Sequence, residues 1–441
     1  MLKINSLIQQ YKSLKIDGII FIIILGIILF KFVTFEHYPE DDEVNSITLL
    51  SSLKTSLIKF WGHNHFLSTQ IGNLIIFLFG VDIMKIRLLS LFSFFLILFL
   101  VQIKFRDYTK TFFYILIYLN VDIIITYFSL YRGYGILALV SALIFFLIDN
   151  KNYNFKYCKL IYFIMALMIV HLETSLYLVV PVLIAMNFKY LVSTNTIEVR
   201  SYKNFFLYFI IPLLCFFLMF SFTEGLYLAK IFVSFSNIHD VLPILFNNFF
   251  DLVYTGFLKL INNEANSIKL IQTFNYFVEN VKNDPLLFLI FVISFFKSVY
   301  FIFFKKNKDI IHLIIFIFFI TFFLINRNGP TRIYTGFISF FIIYILRDLN
   351  FNIFNNIKFN LKIIFHYIFL ILIFYQLNNL NFVRLEVLKE KYLIFEKNLE
   401  NCDFPSKYHL AEYDKHFEYF VYLQECNKKP DINKFYNYYK S

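Results

Sequence analysis

The residues best suited to chemistry lie in a knot of acid just after the first apolar run. Residues 19–35 read IIFIIILGIILFKFVTF, and the chain then turns to Glu36-His37-Tyr38-Pro39-Glu40-Asp41-Asp42-Glu43 and, soon after, to Trp61-Gly62-His63-Asn64-His65. Carboxylates at the mouth of a membrane span are costly to place there, so they are read first as a functional site. An ionised Asp or Glu can take a proton from an attacking hydroxyl. His63 and His65 could join these acids around a divalent metal, but their spacing is irregular for one. Arginine supplies the complementary chemistry, because guanidinium binds phosphate oxygens in a bidentate way. Three compact motifs carry Arg or His further along: YFSLYRGYG (127–135), VHLETS (170–175) and NRNGPTRIY (326–334).

Membrane helices are the elements that must position these residues. Hydrophobic residues make up 59% of the chain, and apolar runs of span length recur from end to end, which excludes a soluble domain. The excess of Phe, Ile, Asn, Lys and Tyr suits an AT-rich genome, so a single Phe carries no functional meaning. The net charge is +11, but Lys and Arg cluster between the apolar runs, as the positive-inside rule requires. No basic stripe with interleaved aromatics appears, and nucleic acid is not an expected partner. Lys3, Lys12 and Lys15 precede the first apolar run and no small-residue cleavage site follows, which reads as an uncleaved signal anchor with a cytoplasmic N-terminus.

The expected fold is therefore an all-α polytopic membrane protein with about eleven transmembrane helices. The spans are placed near 17–35, 84–103, 111–128, 133–148, a segment rising to His171, then 174–189, 204–222, 285–304, 310–325, 333–346 and 362–377. The outer loops are 36–82 and 223–284. Within the first, 46–61 has the period of an interfacial helix and 66–80 is an apolar helix too short to span. The membrane domain covers 1–377, and 378–441 forms a periplasmic C-terminal tail. Cys402 and Cys426 both fall in that tail, where oxidation is allowed; whether they pair stays open. No phosphate-binding loop or dinucleotide fingerprint occurs. No internal repeat is evident, which weakens a secondary-transporter reading.

Sorted by expected depth, Asp41, Asp42, Glu43, His63, His65, Lys85, Arg87, Arg132, His171, Glu173, Arg327 and Arg332 share the outer face. Acids and arginines from distant loops so converge where a phosphate-bearing substrate would need a base and several cations.

Taken in order, these residues resemble the membrane glycosyltransferases of the GT-C superfamily, specifically bacterial relatives of the dolichyl-phosphate-mannose protein mannosyltransferases. The resemblance runs through Asp42-Glu43 in the first outer loop, Asn64-His65-Phe66-Leu67 heading a short helix, and Leu78-Phe79-Gly80 ending it. It continues through Arg87-Leu88 at the next span and Ser129-Leu130-Tyr131-Arg132-Gly133-Tyr134 at the next hairpin. His171 and Arg332-Ile333-Tyr334 also fit; Phe66 stands where the family has Pro, and the tail from 378 matches nothing in the family. The motifs cover residues 1–190, with a looser echo at 326–346.

The resemblance implies a polyprenyl-phosphate-sugar donor and a glycolipid, glycan or protein acceptor at the periplasmic face of a bacterial cytoplasmic membrane. It implies Asp42 as catalytic base, with Asp41 and Glu43 beside it. Arg132 would clamp the donor phosphate, joined by Arg87, Lys85 and Arg332, although Lys85 and Arg87 better suit interfacial anchoring. Substrate contacts would come from His65, Asn64, Tyr134, Tyr131, His171, Arg327 and Tyr334. No cofactor is required, and a divalent metal is not favoured. A polysaccharide polymerase or ligase and a lipid-linked glycan flippase remain as alternatives. The first usually has a large late loop, and the second would spread charge through the depth of the spans.

Overall fold

The computed structural model describes residues 2–34, 43–44, 47, 65–121, 133–149, 157–171, 175–193, 203–216, 218, 285–305, 309–325, 336–349, 367–368, 371–373, 375, 385–397, 402 and 412–428. Among them every regular element is helical and no strand occurs. That is the outcome expected of a chain whose backbone must satisfy its own hydrogen bonds in lipid.

Helix α1 (Leu2–Thr34) begins well before the expected span, in its polar lysine-bearing half. Its apolar half buries Ile20, Phe21, Ile24 and Ile28 along one stripe and leaves Ile22, Leu29 and Phe30 exposed. Helix α2 (Phe66–Phe79) is about 21 Å long, too short for a bilayer core. Gly80 at φ 81° closes it, and α3 (Ile83–Phe105) follows, with Asp82 capping the amides of Met84 and Lys85. An Asp at this position satisfies amides that no helical carbonyl reaches.

The bundle continues through α4 (Tyr108–Leu119), α5 (Tyr134–Ile148), α6 (Cys158–His171) and α7 (Leu176–Ser193). Then come α8 (Lys203–Phe216), α9 (Pro285–Phe304), α10 (Ile310–Ile325) and α11 (Ile338–Asp348). Helix α8 carries a π-helical stretch over Phe206–Ile210, and α9 ends in one at Tyr300–Phe304. Two helices of the tail, α12 (Leu385–Lys397) and α13 (Glu412–Glu425), complete the described elements.

The expected spans and the helices coincide closely at 133–148, 285–304 and 310–325. The count is a different matter. Among the described residues, α3 and α9 are long and apolar enough to cross a membrane by themselves, while α2, α5, α6 and α8 are shorter apolar helices. The expected span 111–128 is described as helix only to Leu119, and 362–377 only at 367–368, 371–373 and 375. The loop 223–284 lies outside the described residues, as does nearly all of the helix expected at 46–61.

Membrane character shows on the outward faces. Phe77, Phe92, Ile103, Phe296 and Phe304 are each at least 60% exposed, on three different helices. Water-soluble monomers rarely expose apolar surface on this scale, whereas lipid accepts it. The interior is a packed aromatic core. Helix α11 is enclosed on every side, with Ile338 to Tyr344 fully buried, and Phe341 packs edge-on against Phe291 and Phe318 at 5.0 and 4.9 Å. Gly336 lets the chain before α11 press against Leu137 of α5, and the Ser141 hydroxyl donates to the Gly336 carbonyl at 2.8 Å.

Charges collect at the helix ends. Arg347 at the end of α11 reaches Asp149 after α5 (3.1 Å), Asp309 before α10 (2.7 Å) and Asp348 (3.1 Å). Lys104 of α3 joins Asp149 at 2.9 Å, and Lys297 of α9 joins Asp348 at 3.1 Å. Lys110 near the start of α4 donates to the Arg347 carbonyl at 3.1 Å. One cation network thus ties together the ends of α3, α5 and α11 and the starts of α4 and α10. His312 extends it, hydrogen-bonded to the Tyr344 hydroxyl at 2.7 Å and stacked on Phe301 at 4.5 Å.

Arg347→Gln removes the cation that links Asp149, Asp309 and Asp348. Because these groups are partly solvated, the loss of stability is expected near the lower end of the ~3–5 kcal/mol typical of a broken buried pair. Lys85→Ala removes only the exposed Asp82 pair and should cost about 0–1 kcal/mol. Thermal unfolding of both variants in detergent checks the contrast.

Candidate functional site

At the other end of the bundle, the start of α3 receives Glu43, the last acid of the cluster. Arg87 turns inward one helical turn into α3 and meets Glu43 side-on: Nε donates to Oε1 at 2.8 Å and Nη2 to Oε2 at 2.5 Å. Glu43 is fully buried and Arg87 is 6% exposed. The pair is seated by apolar neighbours, since Val44 and Ile47 enter a cluster with Val81, Ile83 and Ile86. A charge pair this dry persists only when geometry and hydrogen bonding are both good, as this fork arrangement provides. Its effect is to fix Glu43, with Val44 beside it, against α3.

A second cluster joins α2, α5 and α6. His171, the last residue of α6, lies between two backbones: its Nδ1 accepts from the Leu67 amide at 3.2 Å, and its Nε2 faces the Gly133 carbonyl at 3.0 Å. A backbone amide can only donate and a carbonyl can only accept. The ring is therefore neutral, with its proton on Nε2. His171 acts as a crossbrace between the start of α2 and the start of α5.

Gly133 makes the close approach possible. It holds φ 72°, and a Cβ there would fall 2.6 Å from His171 Cε1 and 2.7 Å from Ser68 Oγ. Beside this brace, His65 caps α2; its carbonyl accepts from Thr69 N at 2.9 Å and Ser68 Oγ at 2.8 Å. The His65 ring packs against Tyr134 at 5.2 Å and lies 6.1 Å from His171. The two clusters adjoin where α3 meets α5: Ser90, one turn beyond Arg87, lies against Gly135, so closely that a Cβ on Gly135 would be 3.1 Å from the Ser90 Cα.

Of the residues expected to do chemistry, the structure thus brings together His65, Tyr134 and His171, and separately Glu43 with Arg87. Arg87 was expected on a donor phosphate, and its Nε and Nη2 are engaged by Glu43. Glu43, expected beside the base, gives both oxygens to Arg87. His171, expected on substrate, gives both ring nitrogens to backbone. Lys85 is exposed and pairs with Asp82 at 3.1 Å. Asp41, Asp42, Asn64, Tyr131, Arg132, Arg327, Arg332 and Tyr334 lie outside the described residues. Among the described residues no group of three His, Cys, Asp or Glu side chains is placed to hold a metal ion. Sequence reasoning missed Ser68 and Gly133, and for Gly133 a signal existed in the positive φ that a glycine directly before a helix often supplies.

No known family pattern matches the sequence. No curated protein matches it either. Among solved structures, the chain is similar to the oligosaccharyltransferase of Archaeoglobus fulgidus, crystallised in complex with Zn and sulfate, at TM-score 0.45 and 15% identity. The alignment covers 95% of this chain and 58% of that one, so this chain spans well under two thirds of that protein's length.

Gly133→Ala should be poorly tolerated, because the left-handed backbone costs ~1–2 kcal/mol for a residue with a Cβ and the clash with His171 adds to it. Glu43→Gln and Arg87→Gln should each cost about 3–5 kcal/mol, and the double variant clearly less than their sum. Chemical denaturation of the four-member set measures the coupling.

Proposed function

We propose that this chain is an integral-membrane glycosyltransferase, which moves one sugar from a polyprenyl-phosphate donor to a glycolipid, glycan or protein acceptor at the periplasmic face of a bacterial cytoplasmic membrane. The observation that carries the reading is the seat of the acidic loop. Glu43 is held by Arg87 at the end of the bundle where His65 and Tyr134 also meet. The ordered motifs from Asp42-Glu43 to Arg132-Gly133-Tyr134 support the same reading.

In this mechanism Asp42 takes the proton of the acceptor hydroxyl as its oxygen attacks the anomeric carbon. The new C–O bond forms as the bond to the phosphate oxygen breaks, and the electron pair leaves with the phosphate. A sugar phosphodiester is a good leaving group, so no strong acid is needed. Arg132 stabilises the charge that develops on the departing phosphate. One displacement inverts the anomeric centre. Glu43 and Arg87 serve as positioning residues for the neighbouring Asp42, and His171 does so for the turn that follows Arg132.

A lipid-linked glycan transporter would be favoured by ionisable groups along a path through the bundle. Among the described residues the ion pairs gather near the two ends instead.

The test compares wild type with Asp42→Asn in purified membranes supplied with radiolabelled polyprenyl-phosphate sugars. Wild type should pass label to lipid, glycan or protein, and Asp42→Asn should lower the rate by at least ~10²-fold, the scale of a lost general base. Loss in Asp41→Asn but not in Asp42→Asn would move the base by one residue. Failure of every donor in a broad panel would sink the reading.

A further inference from the structure

The C-terminal tail supplies none of the proposed chemistry, yet it is packed on the segment that does. Tyr419, Phe420, Val421, Tyr422 and Leu423 of α13 are each at most 4% exposed. With Tyr392 and Phe395 of α12 they form one apolar cluster with Val44, Ile47, Ile76, Val81, Ile83 and Ile86. Gln424 Oε1 accepts from the Ile83 amide at 3.4 Å, one of the amides at the start of α3 that no helical carbonyl serves. Asn427 crosses Gly80 so closely that a Cβ there would meet its Oδ1 at 2.9 Å. The tail therefore shares one apolar cluster with Val44 and Ile47, just after Glu43, and touches the turn from α2 into α3, four residues before Arg87 at its nearest.

The tail is braced within itself at the same place. The Tyr392 hydroxyl bonds Glu425 and accepts from Gln424 Nε2 at 2.8 Å, which locks α12 to the end of α13. Burial and the Glu425 carboxylate hold this phenol above its ordinary range, so it remains a donor. Cys402 and Cys426 form a disulfide, and Cys426 packs against the same apolar cluster. Helices of 13 and 14 residues are marginal in isolation. Closing the 24-residue separation removes much of the freedom that would oppose their docking.

We propose that the tail is a disulfide-stapled clamp whose task is to hold Glu43 against Arg87, making the register of the acidic loop depend on an oxidised Cys402–Cys426 bond. Its consequence for catalysis rests on the glycosyltransferase reading, whereas the clamp itself does not. An oxidising compartment closes the clamp, and the catalytic loop is set only where that bond forms. The other two cysteines, Cys158 and Cys215, form no disulfide, so reduction acts at one bond.

The experiment is hydrogen–deuterium exchange on the full-length protein in nanodiscs, with and without reductant, for wild type and for the Cys402→Ser/Cys426→Ser double variant. Exchange in peptides covering 43–47 and 80–87 should rise about tenfold or more in both reduced wild type and the double variant. Peptides around Lys104 and Arg347, at the opposite end, should not change. Tyr422→Ser, which weakens the apolar grip with the bond intact, should loosen the same two segments. Faster exchange confined to 402–426, or no change anywhere, would overturn the proposal. So would loosening throughout the bundle, which would make the tail a general stabiliser. If no sugar donor is ever consumed while 43–47 and 80–87 respond as expected, the clamp stands and the enzymatic reading alone falls. Where transfer is measurable, it should fall in step with the loosening; a fall without faster exchange at 43–47 counts against the clamp.

Discussion

Hydrocarbon offers no partner to a polar group, and this one constraint organises the molecule. It admits helices because they close their own backbone hydrogen bonds, and it tolerates Phe304 and Ile103 facing outward because lipid does not penalise them. It also drives charge to the helix ends. Arg347 with its three aspartates occupies one end of the bundle, and Arg87 with Glu43 the other. Between them the core is held by ring packing and by short hydroxyl bonds such as Tyr114 to Ser339 at 2.8 Å. With the described ion pairs gathered at the ends, a site for the charged substrate proposed above would be built at an end, from turns that no single segment supplies.

The two ends solve different problems. At the Arg347 end, three cations and three aspartates are shared among several helices, and Arg347 bridges all three aspartates. Such a network resists sliding of one helix past another and needs no ligand. At the Glu43 end the chemistry is directional. One guanidinium fork meets one carboxylate, and one neutral imidazole joins two backbones. These contacts leave little freedom at Glu43 and at Gly133. A transfer reaction between two bound substrates needs that kind of restraint, because small misplacements of reacting groups cost large factors in rate.

Much of the fold was legible because hydropathy writes helix positions directly into the chain. The runs at 285–304 and 310–325 carry almost no charge, end at lysines or a turn, and coincide with α9 and α10. The early start of α1 was not legible, because its first half is polar and a search for apolar length passes over it. The site was legible in kind rather than in role. Motif order and spacing singled out Glu43, Arg87 and His171 as site candidates, and the structure buries all three. Their partners could not be read. That Arg87 faces a carboxylate 44 positions away, and that both nitrogens of His171 meet backbone, depends on helix rotation and register, on which hydropathy is silent.

The tail was opaque for a further reason. Its helices are nearly neutral in overall hydrophobicity, so α12 and α13 look like surface segments. Their apolar residues only become meaningful opposite Val44, Ile76 and Ile86, hundreds of positions earlier. The same disposition explains how a carboxylate can be kept fully buried near the membrane surface. Helix α3 supplies the countercharge, and the tail's apolar residues join the cluster that holds Val44 and Ile86, the sequence neighbours of the pair. An ion pair open to water weakens toward the small value typical of exposed salt bridges. In the clamp proposed above, the tail keeps the Glu43–Arg87 contact dry, so Glu43 is set only once residues 412–428 have docked.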